Sequence, residues 1–149
     1  MRISHFTKSV LTLGAGVLMA TSPALSMDLE KYQWENRLLL VFSPSSSDAE
    51  FVTFNRQMNE TSAGVAERDL VVFRVFEVED SRVADRPLSA ADAEELRRRF
   101  NVDPGRFTVV LIGKDGGVKM THKGKVELQE IFDRIDAMPM RRREMREKG

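Results

Sequence analysis

The sequence predicts an α/β domain in the order β-α-β-α-β-β-α, with a four-stranded mixed central sheet flanked by helices. Two observations carry that fold class. The apolar runs Arg37 to Ser43 (RLLLVFS) and Leu70 to Val78 (LVVFRVFEV) are separated by a helical stretch, the pattern of a parallel strand pair with a crossover helix. Farther on, the glycine-rich turn Gly113 to Gly117 (GKDGG) sits between two strand-like runs, the pattern of an antiparallel hairpin.

Each element has its own local signal. Arg37 to Ser43 is apolar on successive residues, as a central strand covered on both faces requires. Ser47 and Glu50 have the S-x-x-E spacing of a capping box, and Phe51, Phe54 and Met58 follow at helical intervals, with Gly64 as the expected stop. The second strand, Leu70 to Val78, is rich in β-branched and aromatic residues. A polar loop (EDSRVADRP) leads to Ser89, the expected cap of a helix burying Ala93, Leu96 and Phe100, which ends at Asn101 and the Asp103-Pro104-Gly105 turn. Phe107 to Ile112 and Val118 to His122 form the hairpin strands. The last helix, Val126 to Met138, aligns Leu128, Ile131, Ile135 and Met138 on one face and stops at Pro139. Tyr32 and Trp34 are expected to seal one sheet edge.

The first 26 residues read as a secretory leader. Arg2 and Lys8 supply the positive region, Val10 to Ala20 the apolar region, and Ala24-Leu25-Ser26 a small-x-small cleavage site, with cleavage after Ser26 or, alternatively, Ala24. The apolar run is too short for a spanning helix, so an exported, soluble, periplasmic protein with no integral membrane segment after cleavage is expected. The remainder divides into a domain over residues 27–140 and a basic tail over residues 141–149. Residues 1–26 carry two of the basic groups and no acidic one, which leaves the rest at −2; the tail is +3 and the body −5. An acidic body argues against nucleic acid as a partner, since phosphate recognition needs a basic face. The tail reads as a solvated, fraying helix end, its alternative being an electrostatic contact with a partner or an anionic membrane surface.

The element order resembles the thioredoxin fold. Leu111 to Gly116 (LIGKDG) is similar to the hairpin of peroxiredoxins and other thioredoxin-like proteins, and LRRRFNV before it to their second helix running into a turn. Four blocks, YQWENRLLLVFSPS, ERDLVV, LIGKDGGVK and IFDRIDAMPMRRREM, resemble a thioredoxin-like domain of unknown function that occurs in short exported bacterial proteins and in sushi-repeat-containing extracellular matrix proteins of animals. The resemblance implies a fold and a compartment without an agreed activity. In redox-active members two cysteines bracket the turn after the first strand. Aligned on Pro44, those positions hold Ser46 and Ala49, and Phe107 stands where the fold's cis-proline belongs, preceded by Arg106. The chain has no cysteine, so thiol exchange is excluded.

The expected function is therefore non-enzymatic binding of a protein or peptide, without a cofactor, at the rim of Pro44, Ser45, Ser46, Ser47, Arg106, Phe107, Lys123 and Gly124. The rival is a hydrolase in which one of the serines is activated by His122, the single histidine outside the leader. No G-x-S-x-G elbow or orienting carboxylate accompanies them, and Ser47 has a capping task. An anion at the first helix would meet Asp48 and Glu50. A soft-metal (copper) site would draw on Met120, His122, Met138, Met140 and Met145, against which Met138 reads as core. Glu67-Arg68-Asp69 reads as a surface turn, and Asn59 lies in a glycosylation sequon.

Overall fold

The computed structural model describes residues 27–149; the expected leader over residues 1–26 lies outside the described residues. After a 3-10 turn (Glu30–Tyr32) the elements are β1 (Arg37–Ser43), α1 (Ala49–Glu60), α2 (Ser62–Glu67), β2 (Leu70–Phe76), β3 (Ser81–Val83), β4 (Arg86–Leu88), α3 (Ala90–Arg99), β5 (Thr108–Ile112), β6 (Val118–Lys123), α4 (Leu128–Asp136) and α5 (Pro139–Lys148). The expected order is present, with additions.

One mixed sheet runs in the order β4-β3-β2-β1-β5-β6. β1 is buried along its length and pairs in parallel with β2, from Arg37 opposite Leu70 to Ser43 opposite Phe76. On its other side it pairs antiparallel with β5, which continues through the glycine turn into β6. Gly116 takes φ +80° there, a conformation that costs glycine nothing. Alternation along β1 sends Leu39 and Val41 toward α1 and α4, and Leu38, Leu40 and Phe42 toward α3. Each face thus carries its own apolar cluster. Tyr32 closes the second cluster edge-on against Phe73, whereas Trp34 is 64% exposed and seals nothing.

The sheet has six strands rather than four, because the polar loop after β2 folds into a short hairpin. Ser81 is buried and its Oγ accepts a hydrogen bond from the Phe76 N–H at 2.9 Å, so one hydroxyl anchors β3. Pro87, which lacks an N–H, is tolerated because β4 is an edge strand.

Three helix ends differ from expectation. Asp48, not Ser47, caps α1: its Oδ1 accepts from the N–H groups of Glu50 and Phe51, both at 3.1 Å. The Ser47 hydroxyl is hydrogen-bonded to that of Ser45 instead. Asp48→Ala should therefore cost about 1 kcal/mol in chemical denaturation and Ser47→Ala almost none; equal losses would contradict the assignment. Gly64 does not stop α1, which ends at Glu60, but lies inside α2 where the Phe132 ring approaches closely; a Cβ there would sit 3.0 Å from that ring. The helix expected to run to Met138 and stop at Pro139 ends at Asp136 instead, and Pro139 opens α5 at its first turn.

Helix α5 also corrects the reading of the basic tail as a solvated end. Arg141 is 1% exposed. Its guanidinium bonds Asp136 Oδ1 at 3.2 Å, the Glu67 carbonyl at 3.2 Å and the Glu67 carboxylate. Glu144, one turn on, accepts both terminal nitrogens of buried Arg37 at 3.2 Å and pairs with Lys114 at 2.9 Å. Arg68 completes the group through Asp136 at 2.6 Å and lies 4.1 Å over the Phe132 ring. The Glu67-Arg68-Asp69 turn is thus half of a partly buried charge network, not a plain surface turn.

Candidate functional site

The parallel register brings two loops together at one end of the sheet. Ser43 lies opposite Phe76, so the chain leaving β1 and the chain leaving β2 run side by side. Three residues beyond each stand Ser46 and Glu79. The Glu79 carboxylate accepts from the Ser46 N–H at 2.8 Å and from the Ser46 hydroxyl at 2.6 Å. Sequence reasoning missed Glu79, which fell in a polar loop. Only the strand register could have found it.

This double hydrogen bond decides what the corner can do chemically. Ser46 donates its hydroxyl proton to a carboxylate of its own chain, and its N–H is aimed at the same group. An incoming anion would meet Glu79 in addition to Asp48 and Glu50. The two hydrogen bonds from Ser46, side chain first and backbone second, hold the Glu79 carboxyl below its ordinary range. A carboxyl lowered in the folded state favours the fold above its unfolded value of about 4.3 and loses that contribution as pH falls through the folded value. In an NMR titration Glu79 should therefore titrate below the ordinary glutamate range and return toward it in Ser46→Ala. An unchanged midpoint would remove the assignment.

The remaining rim residues divide. Antiparallel pairing of Phe42 with Thr108, and of Thr108 with Lys123, brings the Pro44, Arg106 and Lys123 segments to the same sheet end. The Gly124 N–H donates to the Phe107 carbonyl at 2.8 Å. Pro44 and Ser45 are half-buried, while Ser46, Ser47, Arg106 and Lys123 are exposed. Lys123 bonds Asp103 at 2.7 Å, which holds that carboxyl low. Phe107 is different. Its side chain is 2% exposed and meets Phe54 edge-on with ring centroids 5.9 Å apart, so it belongs to the core and offers no side chain to the rim.

His122 and the serines are not joined. The His122 Nε2 pairs with the Lys125 carbonyl at 2.9 Å, while the Ser45 and Ser47 hydroxyls bond each other and Ser46 bonds Glu79. No serine of this corner is hydrogen-bonded to His122, and the one base that a serine hydroxyl meets is the exposed Glu79 carboxylate. Met120 and Met138 pack against the larger core cluster, whereas Met145 is 39% exposed on α5. The described residues contain no group of three or more His, Cys, Asp or Glu side chains placed to hold a metal ion.

Residues 28–144 match the family described as Domain of unknown function (DUF4174). The chain belongs to this family. Among curated proteins, this DUF4174 chain is 23% identical over 133 residues to Coiled-coil domain-containing protein 80 of Danio rerio, covering 78% of the chain and 15% of that protein. It is 27% identical over 120 residues to Sushi repeat-containing protein SRPX2 of Xenopus laevis, covering 78% and 26%, and 25% identical over 140 residues to SRPX of Rattus norvegicus, covering 92% and 30%. The chain therefore spans less than a third of the length of these relatives. Among solved structures, the reduced 2-Cys peroxiredoxin of Plasmodium vivax superposes with a TM-score of 0.58 at 16% identity, covering 73% of this chain and 80% of that one. The mitochondrial 2-Cys peroxiredoxin of Plasmodium falciparum gives 0.55 at 17% identity, covering 74% and 79%. The DUF4174 fold seen here is thus thioredoxin-like, in a chain without a cysteine. Among its described residues no helix is long and apolar enough to cross a membrane.

Proposed function

We propose that this DUF4174 protein is an exported, periplasmic, non-redox thioredoxin-like module that works by binding a protein or peptide. The observation that carries this reading is the Ser46–Glu79 pair in a cysteine-free corner. The serine at an attacking-thiol position has its hydroxyl and its N–H held by a carboxylate of the same chain and is not joined to His122, which leaves a shaped surface without a thiol or a serine–histidine pair. Export is supported by the leader-like first 26 residues.

The rim of Pro44 to Ser47, Arg106, Lys123 and Gly124 is the proposed contact surface, with Phe107 supporting it from below. The test is crosslinking and pull-down from the native compartment, repeated with purified partner. Arg106→Glu with Lys123→Glu should weaken capture at least tenfold, about 1.4 kcal/mol, and Ser46→Ala should leave it unchanged. Turnover of a candidate substrate lost in both Ser46→Ala and His122→Ala would instead establish catalysis.

A further inference from the structure

The other end of the sheet holds a second feature, independent of the serine corner. Between the β5–β6 turn and the start of α5 lies a cleft of about 330 Å³. Arg37, Lys114, Lys119 and Arg143 line it, against a single lining carboxylate, Asp115, while Met138, Pro139 and Met140 form an apolar wall. We propose that this cleft is an anion site that takes a phosphate or carboxylate group carried on a small apolar body.

The helix that opens onto the cleft favours a negative charge there. α1 starts on Asp48, α3 on Ser89 and α4 on a Glu127–Glu130 capping box. α5, a ten-residue helix, starts on Met138 with no side-chain cap and no acidic residue in its first turn. Its first-turn N–H groups and the positive end of its dipole have no carboxylate of the described residues on them.

One lining charge acts in the same sense. Glu144 and Asp69 balance Arg37 and Lys114, and Asp115 pairs with Lys119 at 2.6 Å, whereas Arg143 is exposed and makes no ion pair among the described residues. Arg37 is 99% buried, and its terminal nitrogens hold the Arg68 carbonyl and Glu144, so it gives the cleft a fixed positive wall rather than a free donor. An arginine at the mouth without an ion pair among the described residues and an uncapped helix meet at this one place. The methionine and proline wall adds a preference for an anion with an apolar substituent over a bare ion.

The test follows amide shifts in the chain from Met27 to Gly149 titrated with inorganic phosphate, acetate and hexanoate, and with vesicles containing phosphatidylglycerol. Saturable shifts centred on Gly113, Lys114, Lys119 and Met140 are expected, with hexanoate binding more tightly than acetate. Loss of one charge-assisted hydrogen bond in Arg143→Ala should weaken binding about tenfold, while Arg146→Ala, on the same helix but not lining the cleft, should change it little. Saturation by free anions identifies a soluble ligand, and saturation by vesicles alone identifies a lipid headgroup; either supports the site. No saturation with any probe, or equal weakening by Arg143→Ala and Arg146→Ala, would overturn it, the latter by showing only a diffuse charge effect. Both arginines are exposed, so both variants should fold, which a matching melting temperature verifies.

Discussion

Arg141→Ala is expected to destabilise the domain by about 3 kcal/mol and to lower its melting temperature by roughly 10 °C. The arginine is buried, and removing it leaves Asp136 and Glu67 without their shared cation. Half-exposed Glu67 can return to water, which places the loss at the lower end of the range for a broken buried pair. Arg141→Lys keeps the charge but not the fork that reaches three acceptors, so an intermediate loss is expected. A change of less than about 0.5 kcal/mol for Arg141→Ala would mean that α5 does not dock as described.

The same network has a pH signature. Burial by itself would raise the carboxyls of Asp136 and Glu144, but hydrogen bonds outweigh it and both lie below their ordinary ranges. Arg68 and Arg141 hold Asp136, while Lys114 and Arg37 hold Glu144. Groups lowered in the folded state stabilise it above their unfolded values, about 3.9 for Asp and 4.3 for Glu, and cease to do so as pH falls through the folded values. Acid should therefore release α5 from the sheet. In Arg141→Ala the acid-dependent loss of stability should be smaller, because part of the linkage has already gone; an unchanged acid profile would count against this account.

Phe107→Ala should cost about 3–4 kcal/mol, the largest effect of any rim position. Its ring fills the space beside Phe54 in the cluster that also holds Val109 and Val126, and alanine would leave a cavity there. Neighbouring Arg106→Ala is exposed and should change stability by less than about 0.5 kcal/mol. Urea denaturation of the two variants distinguishes a core residue from a surface one. It also guards the binding test, because a Phe107 variant that fails to capture a partner will have lost structure first.

These residues mark where the sequence was legible and where it was not. β1 and β2 were readable because a strand buried on both faces must be apolar on successive residues. The hairpin was readable because consecutive glycines after an aspartate serve a tight turn, and the Ser89 cap because its hydroxyl acts within its own first turn. Ser47 reads as the cap of α1 and is not, for the opposite reason. Its spacing to Glu50 fits a capping box, but the neighbouring Asp48 takes the cap while the Ser47 hydroxyl bonds Ser45. Phe107 followed an alignment to a groove position, whereas its burial depends on where α1 lays Phe54. The β3–β4 hairpin was hidden because strands of three residues are too short to show a period.

By itself the sequence determined the order of the core elements and the absence of any thiol, since periodicity, capping and residue identity act over a few neighbouring positions, and its resemblance to known domains implied the thioredoxin-like class. Tertiary structure alone decided which polar groups met. Ser46 and Glu79 are 33 residues apart, and Arg141 and Glu67 are 74 apart. Such pairs are set by the register of a parallel strand pair and by the docking of the last helix, and no local pattern encodes either.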